Sequence, residues 1–136
     1  MRLKIAPNAL EEMQKHAEAT YPNECCGFFY GKDGEIRNIE VAKEVTNSKE
    51  GDQRRRFEVS PLDYLKAERY ADEIGQTLLG IYHSHPEHPA IPSEHDLKQA
   101  VPFFSYIIIS VMKGKAEVTK SWQLDDAGKF EEEEIL

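Results

Sequence analysis

Hydrophobic positions fall into short runs whose period changes along the chain. Arg2 to Ile5 predicts a short strand. Leu10, Met13 and Ala17 then recur at helical spacing behind Pro7, which suits a first helical turn. That helix is expected to stop before Tyr21-Pro22, because the residue preceding a proline is pushed out of the helical region. Cys25 to Tyr30 reads as a buried strand with Gly31-Lys32-Asp33-Gly34 as its turn, and Ile36 to Val45 as a weaker strand. Thr46 to Arg56 is polar and predicts a loop, followed by a short strand at Phe57-Glu58-Val59. Ser60-Pro61 with Asp63 is a strong helix start, and that helix runs to Gly75. Thr77 to His85 reads as a strand and Ser93 to Gln99 as a second capped helix. Ser105 to Met112, Glu117 to Leu124 and Lys129 to Ile135 are closing strands, with turns at Gly114 and at Asp126-Ala127-Gly128.

This order of strands and few helices implies an α/β fold with a mixed sheet. A chain of 136 residues without repeats fits one domain over residues 1–136. Hydrophobic residues make up 40% and charged residues 31%, the profile of a globular protein. No apolar run approaches the ~20 residues of a membrane helix. The start, Met1 to Ile5, lacks the apolar stretch of a signal peptide, so a cytoplasmic location is expected. A formal charge of −8 argues against nucleic acid or anionic membrane as partner, and Arg54-Arg55-Arg56 is too short a cluster to reverse that. The adjacent Cys25 and Cys26 form neither a disulfide framework nor a Cys-x-x-Cys motif; they read as small buried groups pointing to opposite faces of a strand.

The chemistry concentrates in Ile81 to Asp96. His83 and His85 lie two apart at the end of a strand, so both imidazoles leave one face and can converge on an ion. Pro86, Pro89 and Pro92 stiffen the loop that follows. Ser93 then starts a helix, and Asp96 at its third position projects back toward the histidines. Two histidines and one carboxylate leave the fourth position of a tetrahedral zinc site for water, the arrangement of a catalytic site. Hydrolysis also needs a general base; Glu24, just before the first buried strand, is a candidate, although spacing alone does not single it out.

His83-Ser84-His85-Pro86, six residues, Ser93, two residues, Asp96 resembles in full the His-x-His-Pro-x6-Ser-x2-Asp motif of the JAMM (MPN-plus) metalloproteases. Pro22 to Gly27 looks like the family's glutamate-bearing segment, and Asn47, Arg56-Phe57 and Ser60-Pro61 fall where compact bacterial members carry similar residues. The resemblance spans Leu3 to Val111. It implies a cytidine-deaminase-like three-layer arrangement, a mixed β-sheet flanked by helices. It also implies one zinc ion per chain on His83, His85 and Asp96, Glu24 as general acid/base, and Ser93 as donor to the oxyanion of the tetrahedral intermediate. The short chain is most similar to stand-alone bacterial peptidases acting on ubiquitin-like β-grasp sulfur carriers that end in Gly-Gly, which free an amino acid or a tail from the terminal glycine. A zinc nucleoside deaminase is set aside, because its His-x-Glu and Pro-Cys-x-x-Cys are missing. Two alternatives stay open: a non-catalytic zinc-stabilised interaction module, and a JAMM peptidase with a phage or cell-wall peptide as substrate. His16 reads as an ordinary surface histidine; His88 and His95 lie within the motif but off its ligand positions. Arg54 to Arg56 read as solvated charges that can also steer an acidic carrier.

Overall fold

The run of apolar residues after Glu24 is buried on both faces because it becomes a central strand. The structure, a computed structural model, describes residues 1–136. In chain order it contains β1 (Arg2–Ile5), α1 (Pro7–Thr20), β2 (Cys26–Lys32), β3 (Ile36–Val45), α2 (Pro61–Ile74), β4 (Thr77–Pro86), α3 (Glu94–Gln99), β5 (Ser105–Met112), β6 (Lys115–Leu124) and β7 (Phe130–Ile135). The strands are ordered β1-β3-β2-β4-β5-β6-β7. β4 runs parallel to β5, and β1 parallel to both β3 and β7, while the remaining pairs are antiparallel.

The expected mixed sheet with helices is present, but the three-layer arrangement needs correction. Arg2 pairs with Glu134 and Leu3 with Ile135, so the two edges of the sheet meet and the strands form a closed barrel. Closure satisfies backbone groups that an open edge would leave exposed. Neither terminal strand carries a sequence signal for this pairing.

Strand alternation sorts the core into two clusters. Cys25, Phe29, Ile107 and Ile109 pack with Leu3 and with Ala9, Met13 and Ala17 of α1. Cys26, Phe28, Tyr30, Ile81 and Tyr106 pack with Ala67 and Ala71 of α2. The two cysteines therefore face opposite sides, and burial pushes both thiols up to about 12, which leaves them unreactive.

Both long helices begin on the prolines that mark them, and α2 is closed by its own residues. Ser60 Oγ accepts from Asp63 N at 3.1 Å, and Gly75 ends the helix in the left-handed region at φ 66°. Three local expectations change. Phe57–Val59 forms no strand, because most of its backbone partners are side chains and a single backbone bond, from Ser48 N to the Glu58 carbonyl at 3.0 Å, builds no ladder: Asn47 Oδ1 accepts from Glu58 N at 3.1 Å, and the Phe57 carbonyl takes Gln99 Nε2 at 3.2 Å. Gly31 and Lys32 continue β2 through a register shift rather than turning. His16 is buried on α1, with Nδ1 2.7 Å from the Tyr82 hydroxyl. At the start of β3, Arg37 is enclosed as well: it donates to the Phe103 carbonyl at 2.6 Å and to Ser105 Oγ at 3.0 Å, and pairs with Asp33 at 2.9 Å.

Gly80 fixes how closely β4 approaches its neighbours. A Cβ there would lie 1.8 Å from the Ser105 carbonyl oxygen and 2.6 Å from the Phe29 ring. Gly80→Ala should lower stability by about 3 kcal/mol or more in urea denaturation. Gly34→Ala, whose new Cβ meets only ordinary contact at 3.7 Å, should stay within roughly 0.5 kcal/mol of wild type.

Candidate metal centre

The antiparallel register of β2 and β4 sets the site. Cys26 lies opposite His83, and Cys25 N donates to Ser84 Oγ at 2.8 Å. Continued toward the start of β2, this register brings Glu24 across from His85. His83 and His85 leave the same face of β4, the face covered by α2 and by the loop of residues 46–60.

Asp96 reaches the histidines from α3 through a reciprocal cap. Ser93 Oγ accepts from Asp96 N at 3.1 Å, while Asp96 Oδ2 accepts from Ser93 N at 2.9 Å. The same Oδ2 lies 3.3 Å from His83 Nε2 and 3.2 Å from His85 Nε2, and the two imidazole nitrogens are 3.1 Å apart. All three side chains are buried.

The protonation of His85 follows from its outer partner. Its Nδ1 donates to the Pro89 carbonyl at 2.8 Å, which turns Nε2 toward the carboxylate. Burial drives the His83 imidazole below its ordinary pKa against the pull of Asp96. Burial also works against ionisation of Asp96, but the charge and hydrogen bonds of His83, the His85 bond and the Ser93 N–H outweigh it and hold the carboxyl far below the usual range. Two imidazole nitrogens and a carboxylate oxygen this close repel one another unless positive charge lies among them. The donor set and its burial thus fit a divalent metal ion.

Glu24 stands beside this group rather than in it. Its residue is 5% exposed, and Oε1 is buried without a hydrogen-bond partner. Burial, with the charges of Asp96 and Asp52 adding, pushes its carboxyl up to about 9. Its backbone is clamped by the loop: Glu24 N donates to the Gln53 carbonyl at 2.7 Å, and Asn47 Nδ2 donates to the Glu24 carbonyl at 3.2 Å. Glu24, Ser93 and His85 line one open cleft of about 490 Å³ together with Arg55, His88 and Ile91.

The structure therefore brings together all five residues singled out in the sequence, with His83, His85 and Asp96 in mutual contact and Glu24 and Ser93 on the wall. It also reveals two supports. The Phe57 ring stacks on His83 with centroids 4.5 Å apart, and its carbonyl is held by Gln99 and lies 3.3 Å from His95 Nε2. His88 is fixed through its backbone, where its carbonyl accepts from Ser110 Oγ at 2.6 Å. No spacing rule points to Phe57, whose partners lie far along the chain.

Known proteins resemble this chain in sequence and in fold. The family of prokaryotic homologs of the JAB domain matches residues 6–125, and the chain belongs to that family. It is 31% identical over 113 residues to the desampylase of Pyrococcus furiosus, covering 83% of this chain and 75% of that protein. It is 28% identical over 131 residues to the CysO-cysteine peptidase of Mycobacterium bovis, covering 96% and 88%. The solution structure of a protein from Desulfitobacterium hafniense superposes with a TM-score of 0.85 at 35% identity, covering 98% of this chain and 91% of that one.

The buried carboxyl of Glu24 gives a pH-dependent prediction. Its folded pKa lies above the unfolded value of 4.5, so above that pH folding must take up a proton, and the penalty grows until about pH 9. In chelator-treated protein, Glu24→Gln should raise the melting temperature by at least about 3 °C at pH 8 and leave it unchanged near pH 4.

Proposed function

We propose that this protein is a zinc-dependent peptidase or isopeptidase that hydrolyses the bond after the C-terminal Gly-Gly of a ubiquitin-like sulfur-carrier protein. The observation that carries the reading is the buried His83–His85–Asp96 triangle, set beside a cleft walled by Glu24 and Ser93. Relatives named as a desampylase and as a CysO-cysteine peptidase support the substrate class.

His83, His85 and Asp96 would hold the zinc ion, one per chain. Zinc bound there supplies Lewis acidity, which polarises the scissile carbonyl and lowers the pKa of water toward about 7. Glu24 accepts the proton of the attacking water and delivers it to the departing amide nitrogen. Its burial and its free Oε1 suit a carboxyl that must exchange a proton during turnover. Ser93 spends its oxygen lone pair on the Asp96 N–H and keeps its O–H to donate to the substrate carbonyl oxygen as negative charge develops. The water's hydroxyl ends on the carbonyl carbon, the C–N bond breaks, and the amine leaves with the proton.

Two variants separate the roles. Glu24→Gln should keep stoichiometric zinc while hydrolysis of a tail-extended Gly-Gly carrier falls by about 10²–10⁴-fold. Undiminished hydrolysis would remove Glu24 from the mechanism and leave the zinc assignment untouched. Asp96→Ala should lose both zinc and activity, as read by metal analysis of the dialysed protein; retained zinc would contradict its role as ligand. A chelator should abolish cleavage by the wild type.

A further inference from the structure

Resting on the peptidase reading above, we propose that Arg55 reads the free α-carboxylate of a single amino acid attached to the carrier's terminal glycine. The enzyme would then favour a carrier bearing one C-terminal residue over a carrier joined to a lysine side chain. Arg55 lines the same cleft as Glu24, His85 and Ser93, and it is the permanent cation there. Its side chain is exposed and takes part in none of the ion pairs of the structure.

The backbone on either side of it is tied down. Arg54 N donates to Asp52 Oδ1 at 3.0 Å, and the Arg56 carbonyl accepts from Asn47 Nδ2 at 3.1 Å. Two residues before Arg55, the Gln53 carbonyl accepts from Glu24 N at 2.7 Å. The loop that carries Arg55 is therefore bonded to the backbone of the residue assigned to proton transfer, while the guanidinium remains free to take a ligand. The other residues lining this cleft are Glu24, His85, His88, Pro89, Ile91 and Ser93, none of them a permanent cation, in a chain of net charge −8.

Substrate chemistry supplies the discrimination. When the leaving group is an α-amino acid, its carboxylate is one carbon from the departing nitrogen. In a lysine isopeptide that carboxyl is several methylenes away and consumed in the protein chain. A guanidinium near Glu24 can form a paired, charge-assisted contact with the first and not with the second. Water adds its hydroxyl to the glycyl carbonyl carbon, the C–N bond breaks and the proton goes to nitrogen. The products are the carrier ending in a glycine carboxylate and the free amino acid.

The test compares three carriers: one extended after Gly-Gly by a single alanine with a free carboxylate, the same extension ending in an amide, and the carrier linked to the lysine of a short peptide. Zinc-loaded wild type should prefer the free acid over the amide by roughly 10–100-fold in kcat/KM, mostly through KM. Arg55→Ala should level the two, and Arg55→Lys should keep part of the preference. In zinc-loaded Glu24→Gln protein, calorimetry should show tighter binding of the acid-ended carrier, lost when Arg55 is also replaced by alanine. Equal rates on acid and amide, an equal loss on both in Arg55→Ala, or equal calorimetric affinities would overturn the proposal. Absence of any cleavage by a protein holding one zinc would instead overturn the peptidase reading, and the calorimetric comparison would still decide the role of Arg55.

Discussion

His83 Nε2, His85 Nε2 and Asp96 Oδ2 lie 3.1–3.3 Å apart in a buried site, and holding three electron-rich atoms so close is the constraint on which the structure turns. Each is fixed from behind by a group it cannot easily leave. Pro89 accepts the Nδ1 proton of His85, Phe57 covers the His83 ring, and Ser93 caps Asp96 through both its hydroxyl and its N–H. These partners come from two connections of the fold, β3–α2 and β4–α3, so the site exists only when β4, α3 and the 46–60 loop are in place together. A divalent cation held there would turn this repulsion into binding energy and so couple metal affinity to folding.

Glu24 belongs to the same arrangement for a different reason. The pairing of β2 with β4 carries it past the last paired residue, Cys26, to the level of His85, and Asn47 and Gln53 hold its backbone there. Its carboxyl is then removed from water and close to the charge of Asp96, which explains why it resists ionisation. The environment that makes Glu24 costly to the metal-free fold also places it where the proton transfer proposed above would need it.

Much of this was legible in the sequence because the information is local. The His-x-His pair at a strand end, the prolines after it and the Ser93-x-x-Asp96 cap each follow from neighbours in the chain, and the structure brings those residues together. The family resemblance was needed to reach Glu24, since its proximity to His85 depends on the register of two distant strands. Features set by remote partners were not legible at all. Closure of the sheet through β1 and β7 and the burial of His16 against Tyr82 are of this kind. So are the enclosure of Arg37 by Phe103 and Ser105 and the diversion of the Phe57 carbonyl to α3. In each case a polar group finds its partner across the fold, which hydrophobic periodicity does not encode.

The central claim, that these three side chains form one metal site, is tested most directly by titrating zinc into chelator-treated protein while following the imidazole nitrogens of His83 and His85 by NMR. The account predicts that the Nε2 signals of both residues move together and saturate at one zinc per chain, with Nδ1 of His85 remaining protonated toward Pro89. Saturation that leaves either histidine's Nε2 unmoved, or that shifts His16, His88 or His95 in its place, would contradict it.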